Sequence, residues 1–150
     1  MKRKMNEREQ RILRLAEDYK HPDEFIHKLE ETFNLQSSEK GDFFFQAGAT
    51  LYEHFRYALA LNIWKYALKC FIKDDNKVAK SKCYGSIGLA FDGLGEFKRA
   101  IRYYEKALVI AKEIGDKINE SKCYTNLGIV CDYLGKPKKA IEYHGKALVI

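Results

Sequence analysis

Apolar residues recur every three or four positions along most of the chain, which is the spacing of one face of an α-helix. Between residues 84 and 111 they form two such faces, interrupted at Leu94 and Gly95. Gly95 is suited to end the first helix, because glycine readily adopts the left-handed conformation that often follows a helix. Asp116 is suited to cap the next helix with its side chain. The pattern predicts a helix, a tight turn and a second helix with these apolar positions: Tyr84, Ile87, Gly88 and Phe91, then Phe97, Ala100, Ile101, Tyr104, Ala107, Leu108 and Ala111.

The pair of helices returns at a constant spacing. Residues 81–110 and 121–150 are identical at 17 of 30 positions without a gap, which predicts a repeat architecture with a 40-residue period. A weaker copy in residues 41–80 keeps small residues where paired helices would approach closely and rings where the space between them must be filled. Phe55, however, stands where the later copies have the turn glycines Gly95 and Gly135. We expect three repeats, 41–80, 81–120 and an incomplete 121–150, with these aligned positions: Gly48, Gly88 and Gly128; Ala60, Ala100 and Ala140; and the rings Trp64, Tyr104 and His144, the last expected in the core.

The repeated residues follow the motif aromatic-x-x-(Leu/Ile)-Gly, then Leu-Gly, Ala-Ile, Tyr and Lys-Ala-Leu. Over residues 41–150 this motif resembles the tetratricopeptide repeat, whose usual period is about 34 residues. The longer period here and the linker Glu113-Ile114-Gly115-Asp116 resemble a 40-residue, long-helix subclass of this repeat. The resemblance implies an all-α fold, a right-handed superhelical stack of helix-turn-helix hairpins. It also implies a concave groove lined by the first helix of each hairpin.

Residues 1–40 do not align with the repeat. The pattern predicts an amphipathic helix over residues 6–20, a break at His21-Pro22, and a second helix capped by Asp23. We interpret them as a cap on the open side of the first repeat, with a dimerisation arm or an occupant of the groove as alternatives. At the other end, Leu148-Val149-Ile150 lie inside a predicted helix. We expect either a fragment of a longer array or an apolar edge that packs against another subunit.

The resemblance implies that the groove binds a peptide or helix of a partner protein. Lysine and asparagine there would hold the carboxylates or the backbone of a peptide through hydrogen bonds. In the co-chaperones of this family that bind acidic C-terminal tails, a lysine and an asparagine occupy the positions of Phe45 and Ala49. That clamp is absent here, so we expect no receptor for chaperone tails. The expected groove residues are Phe45, Gln46, Lys82, Ser86, Leu89, Asp92, Lys122, Asn126, Ile129, Asp132 and, at the rim, Tyr133.

Composition limits the other classes of protein. Of the 150 residues, 46% are hydrophobic, which is enough to build a folded domain rather than a disordered chain. No apolar run is long enough to span a membrane, and no signal peptide follows the basic start. The four cysteines form no Cys-x-x-Cys pair and lie at helical positions. We therefore expect a cytoplasmic protein with reduced cysteines, no metal, no cofactor and no membrane partner.

The chain carries 27 Lys and Arg against 21 Asp and Glu, a net charge of +6. Residues 1–40, 41–80, 81–120 and 121–150 have net charges of 0, +2, +1 and +3, so the excess is interpreted as spread along the stack. The densest basic group, Lys136, Lys138 and Lys139, begins a predicted second helix, away from the groove. No arginine-rich run or base-stacking module occurs, which argues against a nucleic-acid partner.

The four histidines are scattered, and no catalytic or phosphate-binding motif occurs, so we expect no enzyme activity. The sequence predicts a protein-interaction scaffold that binds a peptide or helix in its groove. A self-associating module, forming a homodimer through the N-terminal helices or the C-terminal edge, is the alternative. A basic helical repeat that binds nucleic acid is a third and weaker one.

Overall fold

The computed structural model describes residues 3–150, and these residues form an all-α fold without strands. The expected fold class is confirmed. Eight α-helices follow one another, with a single 3-10 turn at Ser37–Glu39 before the third. Their bounds are α1 Glu7–Asp18, α2 Pro22–Phe33, α3 Lys40–Glu53, α4 Tyr57–Lys73, α5 Lys77–Gly93, α6 Phe97–Glu113, α7 Lys117–Tyr133 and α8 Pro137–Leu148.

The last six helices form three hairpins that stack in chain order. Helix α3 packs on α4, α5 on α6 and α7 on α8, and the second helices α4 and α6 also pack on the first helix of the next hairpin. Successive first helices α3, α5 and α7 contact one another, whereas the second helices α4, α6 and α8 do not within residues 3–150. The stack therefore curves toward its first helices, which line the concave side.

The second helices begin at Tyr57, Phe97 and Pro137, so their spacing equals the 40-residue period of the sequence. The predicted repeat boundaries after residues 80 and 120 fall inside α5 and α7, because these helices begin one turn earlier than the boundaries. Asn76 and Asp116 cap the two helices by accepting a hydrogen bond from a backbone N–H in the first turn, so the capping role expected of Asp116 is observed.

Within each hairpin, a ring on the second helix lies directly against a glycine on the first. A Cβ atom built on Gly48 would lie 2.4 Å from the Trp64 ring, one on Gly88 2.6 Å from Tyr104, and one on Gly128 2.5 Å from His144. These separations are far below van der Waals contact, so only glycine allows the two helices to approach this closely. All three hairpins thus show what the sequence predicts: a glycine where the paired helices approach closely, and a ring that fills the space between them.

Replacing Gly88 with alanine should destabilise the protein, because the added methyl group would overlap the buried ring of Tyr104. We expect the Gly88→Ala variant to lose about 1–3 kcal/mol of unfolding free energy in urea denaturation. Gly85, on the preceding turn of α5, provides the matched control, because a methyl group added there would have no other atom within 4 Å. Gly85→Ala should be neutral or gain up to about 1 kcal/mol through helix propensity. Equal losses in the two variants would contradict this account.

The turns inside the hairpins require a left-handed residue. Gly95 and Gly135 adopt φ of 76° and 69°, which confirms the conformation predicted for Gly95. In the first hairpin the same position is held by Phe55, with φ of 62° and 77% of its surface exposed. The left-handed conformation lowers the stability of the fold by about 1–2 kcal/mol at a residue with a bulky side chain. The exposed ring of Phe55 packs too little to offset this loss.

The Phe55→Gly variant should therefore unfold at higher denaturant than the parent. We expect a gain of about 0.5–1 kcal/mol, since glycine relieves the backbone strain but also loses more entropy on folding. The reverse type of change, Gly95→Ala, should cost about 1 kcal/mol, because nothing lies within 4 Å of that site and only the backbone conformation opposes it. A loss of stability in Phe55→Gly would show that the exposed ring contributes more than its strain costs.

The N-terminal helices begin partly as expected. Asn6 caps α1 and forms a capping box with Glu9. The expectation that Asp23 caps α2 is wrong: His21 is the N-cap, without a side-chain hydrogen bond, and Pro22 is the first helical residue. Proline has no N–H to satisfy and its φ already suits a helix, so the helix starts before Asp23. Asp23 lies in the first turn, where its negative charge interacts favourably with the helix dipole.

Helices α1 and α2 pack on the outer side of the first hairpin, α1 against α3 and α2 against α4. Four of their apolar residues join the core: Ile12, Ala16, Phe25 and Leu29. Polar contacts cross the same boundary, because the Tyr66 hydroxyl donates to the Glu30 carboxylate and Arg56 donates to the Ala16 carbonyl at 3.4 Å. This packing agrees with the cap interpretation and leaves α1 and α2 outside the groove. The division into an N-terminal cap and three repeats remains a prediction.

The cysteines are small, mostly buried helix residues. All four are free thiols; Cys83, Cys123 and Cys131 are buried and Cys70 is half-buried. Burial raises the pKa of Cys83 to about 12 and that of Cys123 to about 11. Across residues 3–150, no three histidine, cysteine or acidic side chains are grouped so that they could hold a metal ion. No helix in that range is long and apolar enough to cross a membrane.

Candidate binding groove

A pocket of about 350 Å³ opens on the concave side, between helices α3, α5 and α7. Six of the eleven residues expected in the groove line it together, which sequence spacing alone could not establish. The complete lining is Phe45 from α3, Ser81, Lys82, Gly85, Ser86 and Leu89 from α5, and Asn119, Lys122, Cys123 and Asn126 from α7.

Helical spacing places these residues on one face of each first helix. Lys82, Ser86 and Leu89 are separated by four and then three positions, so they share one stripe of α5. Lys122 and Asn126 occupy the equivalent positions on α7, in the next repeat. The remaining faces of both helices are buried in the core, where α5 contributes Cys83, Ile87, Gly88, Ala90 and Phe91. The packing of the hairpins therefore leaves this stripe as the side of each first helix that faces the groove.

Four polar side chains of the lining have no partner among the described residues. Neither Lys82 nor Lys122 forms an ion pair or a hydrogen bond there, and the hydroxyl of Ser86 and the amide of Asn126 form no hydrogen bond. None of the ten lining residues is acidic. The pocket thus offers two cations, an amide and a hydroxyl beside the apolar side chains of Phe45 and Leu89.

A second pocket, of about 360 Å³, continues the groove toward the first hairpin. It shares Phe45 and Lys82 with the first pocket and includes Gln46, another expected residue. It also contains residues that the sequence reasoning missed, among them Asn76 and Val78, and Val78 is 46% exposed. Ile118, at the matching position of α7, is 72% exposed. The sequence did contain a signal for these residues. The N-cap residues Asn76 and Asp116 place the starts of α5 and α7 one turn before the predicted repeat boundaries, so Val78 and Ile118 belong to the first helices.

The other four expected residues do not line the central pocket. Asp92 lies near Tyr52 and Tyr104, and its burial raises the pKa of its carboxyl group. Asp132 lies 3.5 Å from His144, on the second helix of its own hairpin. Ile129 and Tyr133 are exposed farther along α7, and the Tyr133 ring stacks on Phe97 with 5.3 Å between centroids.

His144 is less buried than expected for a core residue. Trp64 and Tyr104, at the equivalent positions, are almost fully buried, whereas 40% of the His144 side chain is exposed. The first two rings lie in hairpins that another hairpin covers, and no described helix packs on the outer side of α8. His144 therefore packs against Gly128, as the other rings pack against their glycines, but it is not a core residue.

The excess of positive charge lies on the second helices, with net charges of +3, +3 and +2 on α4, α6 and α8, so it is spread along the stack as expected but lies mainly on one side of it. Helices α4, α6 and α8 carry eleven Lys and Arg and three Glu, a net charge of +8, and all of these side chains are exposed. The first helices α3, α5 and α7 carry six basic and five acidic residues, a net charge of +1. The net charges of the 40-residue segments do not reveal this difference between first and second helices, because each repeat contains one helix of each kind.

Comparison with known proteins agrees with this architecture. The family model described as tetratricopeptide repeat matches residues 93–150, from the last residue of α5 through α6, α7 and α8. The tetratricopeptide domain of Arabidopsis FLU superposes with a TM-score of 0.72 at 18% identity, covering 76% of this chain and 96% of that one. Residues 93–150 therefore match the tetratricopeptide repeat family, and the chain has the fold of a tetratricopeptide domain over most of its length. A search of curated proteins found no match.

Two Rap proteins have the same fold as this chain over most of its length. The apo form of RapI superposes with a TM-score of 0.74 at 25% identity, covering 85% of this chain. The Rap conjugation gene regulator of plasmid pLS20, solved in complex with the Phr* peptide, gives 0.72 at 23% identity and covers 86%. This chain spans about a third of the length of each Rap chain, 36% in both cases. The assignment to a 40-residue subclass stays a prediction.

Proposed function

We propose that this chain is a non-catalytic scaffold that binds an extended peptide or a helix of a partner protein in its concave groove. The observation that carries the proposal is the central pocket. There, Lys82, Ser86, Lys122 and Asn126 present unpartnered polar groups beside the apolar Phe45. Such a combination of hydrogen-bonding groups and apolar surface is typical of sites that hold peptides.

Two further points support binding rather than catalysis. Cys123 is the one thiol in the lining, and with its pKa raised to about 11 by burial it stays protonated and weakly nucleophilic. Among proteins of this fold, the Rap regulator of pLS20 forms a complex with the Phr* peptide. The tetratricopeptide fold is common to interaction scaffolds, and this supports the proposal that the groove of this chain binds a partner.

The proposal predicts that capture of the natural partner depends on the groove. The combined variant Lys82→Ala, Lys122→Ala and Asn126→Ala should lose a groove-bound partner from an extract of the source cells. Each lost hydrogen bond to a charged group removes up to about 1.5–3 kcal/mol of binding free energy. Quantitative mass spectrometry of the captured proteins measures the loss.

The matched control is Lys98→Ala with Lys138→Ala, two exposed lysines that also occupy equivalent positions of successive repeats but lie in the first turns of the second helices α6 and α8. It should capture the partner as the parent does. Equal capture of the partner by the parent, the groove variant and the control variant would contradict groove binding. The partner would then bind another surface.

Self-association is a second candidate function, favoured by the apolar surface of α8. Ile141 is 72% exposed, whereas its counterpart Ile101 on α6 is packed against the core. A dimer through this face should give a molar mass in light scattering that rises with concentration, and Ile141→Glu should return it to that of a monomer. A monomeric mass of the parent at every concentration would contradict this alternative.

A further inference from the structure

We propose that the central pocket binds an acidic side chain, so that the groove selects a peptide segment carrying Asp or Glu next to an apolar residue. This inference rests on the proposed function, namely that the groove binds peptides, and adds the chemistry of the ligand. It concerns the interior of an extended segment rather than a chain terminus.

The charge of the pocket is the first argument. Lys82 and Lys122 come from equivalent positions on neighbouring helices and line the same pocket, whose ten lining residues include no carboxylate. Neither ammonium group has an intramolecular counterion among the described residues. Two like charges that line one pocket repel each other, and the attraction of a bound carboxylate to both ammonium groups would offset that repulsion.

The neutral hydrogen-bonding groups support the same ligand. Ser86 follows Lys82 by four positions, and Asn126 follows Lys122 by four, so each helix presents a cation and, one turn later, a neutral donor. The hydroxyl of Ser86 and the amide of Asn126 can donate to a carboxylate oxygen or to a peptide carbonyl beside it. Phe45 and Leu89 lie in the same lining, where a neighbouring apolar side chain would be covered.

The continuation of the groove favours an internal carboxylate over a C-terminal one. Toward the first hairpin, the second pocket shares Phe45 and Lys82 and adds Asp42, which would repel a second carboxylate. Along α7, Ile129 follows Asn126 by three positions on the same stripe and is exposed, so it extends the apolar surface beyond the central pocket. A segment whose carboxylate lies at the lysines therefore has groove surface available both before and after that residue.

Selection from a displayed library of short random peptides tests the inference directly. Peptides that bind the parent chain should share an Asp or Glu beside an aliphatic or aromatic residue. Replacing that acidic residue by its amide should weaken binding about three- to tenfold in fluorescence anisotropy, whereas amidating the peptide C-terminus should have no effect. Binding should also weaken as salt is added. A requirement for the free C-terminus instead of the acidic side chain would overturn the choice of an internal carboxylate.

Charge reversal in the protein provides the second measurement. Lys82→Glu with Lys122→Glu should weaken these peptides by about tenfold or more. Lys98→Glu with Lys138→Glu changes the net charge equally outside the groove and should leave the affinity within about twofold of the parent, since exposed charges on another surface are screened by salt. Circular dichroism checks that both variants are folded. If both variants lost the same affinity, the change in net charge alone would explain the loss and the inference would be overturned.

The inference and the proposed function fail in different ways. Selected peptides that lose binding in Leu89→Asp and Asn126→Ala but carry no acidic residue would overturn the acidic ligand while the groove remains the binding site. Peptides that no groove variant affects, or a library without any groove-dependent binder, would contradict the proposed function itself.

Discussion

The contact between a glycine on each first helix and a ring on each second helix is the constraint on which the hairpins depend. In all three hairpins the ring approaches so closely that a Cβ atom would lie 2.4–2.6 Å from it. The ring fills the volume that glycine leaves, so backbone approach and side-chain packing are satisfied together. Because the pair returns in every repeat, each hairpin closes in the same way and presents the same face to its neighbours.

The same contact also helps position the groove. Gly88 packs inward against Tyr104, while Lys82 and Ser86 lie on another side of α5 and remain accessible. In the first hairpin the buried ring also holds the backbone of a residue that lines the groove, because Trp64 Nε1 donates a hydrogen bond to the carbonyl of Phe45 at 2.9 Å. The position of Phe45 is thus fixed by the packing that closes its hairpin. The second helices carry a net charge of +8 on exposed side chains, and these side chains keep the back of the stack polar.

Prediction succeeded where the information is periodic and local. The repeat, the left-handed Gly95 and the capping Asp116 follow from identities at a constant spacing and from residue types with narrow backbone preferences. It failed where a competing local rule or a neighbouring element decided the outcome. Pro22 started α2 ahead of the expected cap Asp23, and His144 is partly exposed because no described helix covers it. Val78 and Ile118 were missed because the expected groove residues of α5 and α7 began at Lys82 and Lys122, one turn after these two positions.

The sequence by itself determined the number of hairpins, the residues that close them and the stripe of each first helix that stays out of the core. These properties depend on spacing along one chain segment, and spacing is visible in the sequence. Only the tertiary structure decided that Lys82, Ser86, Lys122 and Asn126 line one pocket while Asp92 and Asp132 lie outside it. The reason is that a shared pocket depends on the rotation and distance of neighbouring helices, which are set by packing between hairpins rather than by the pattern within one.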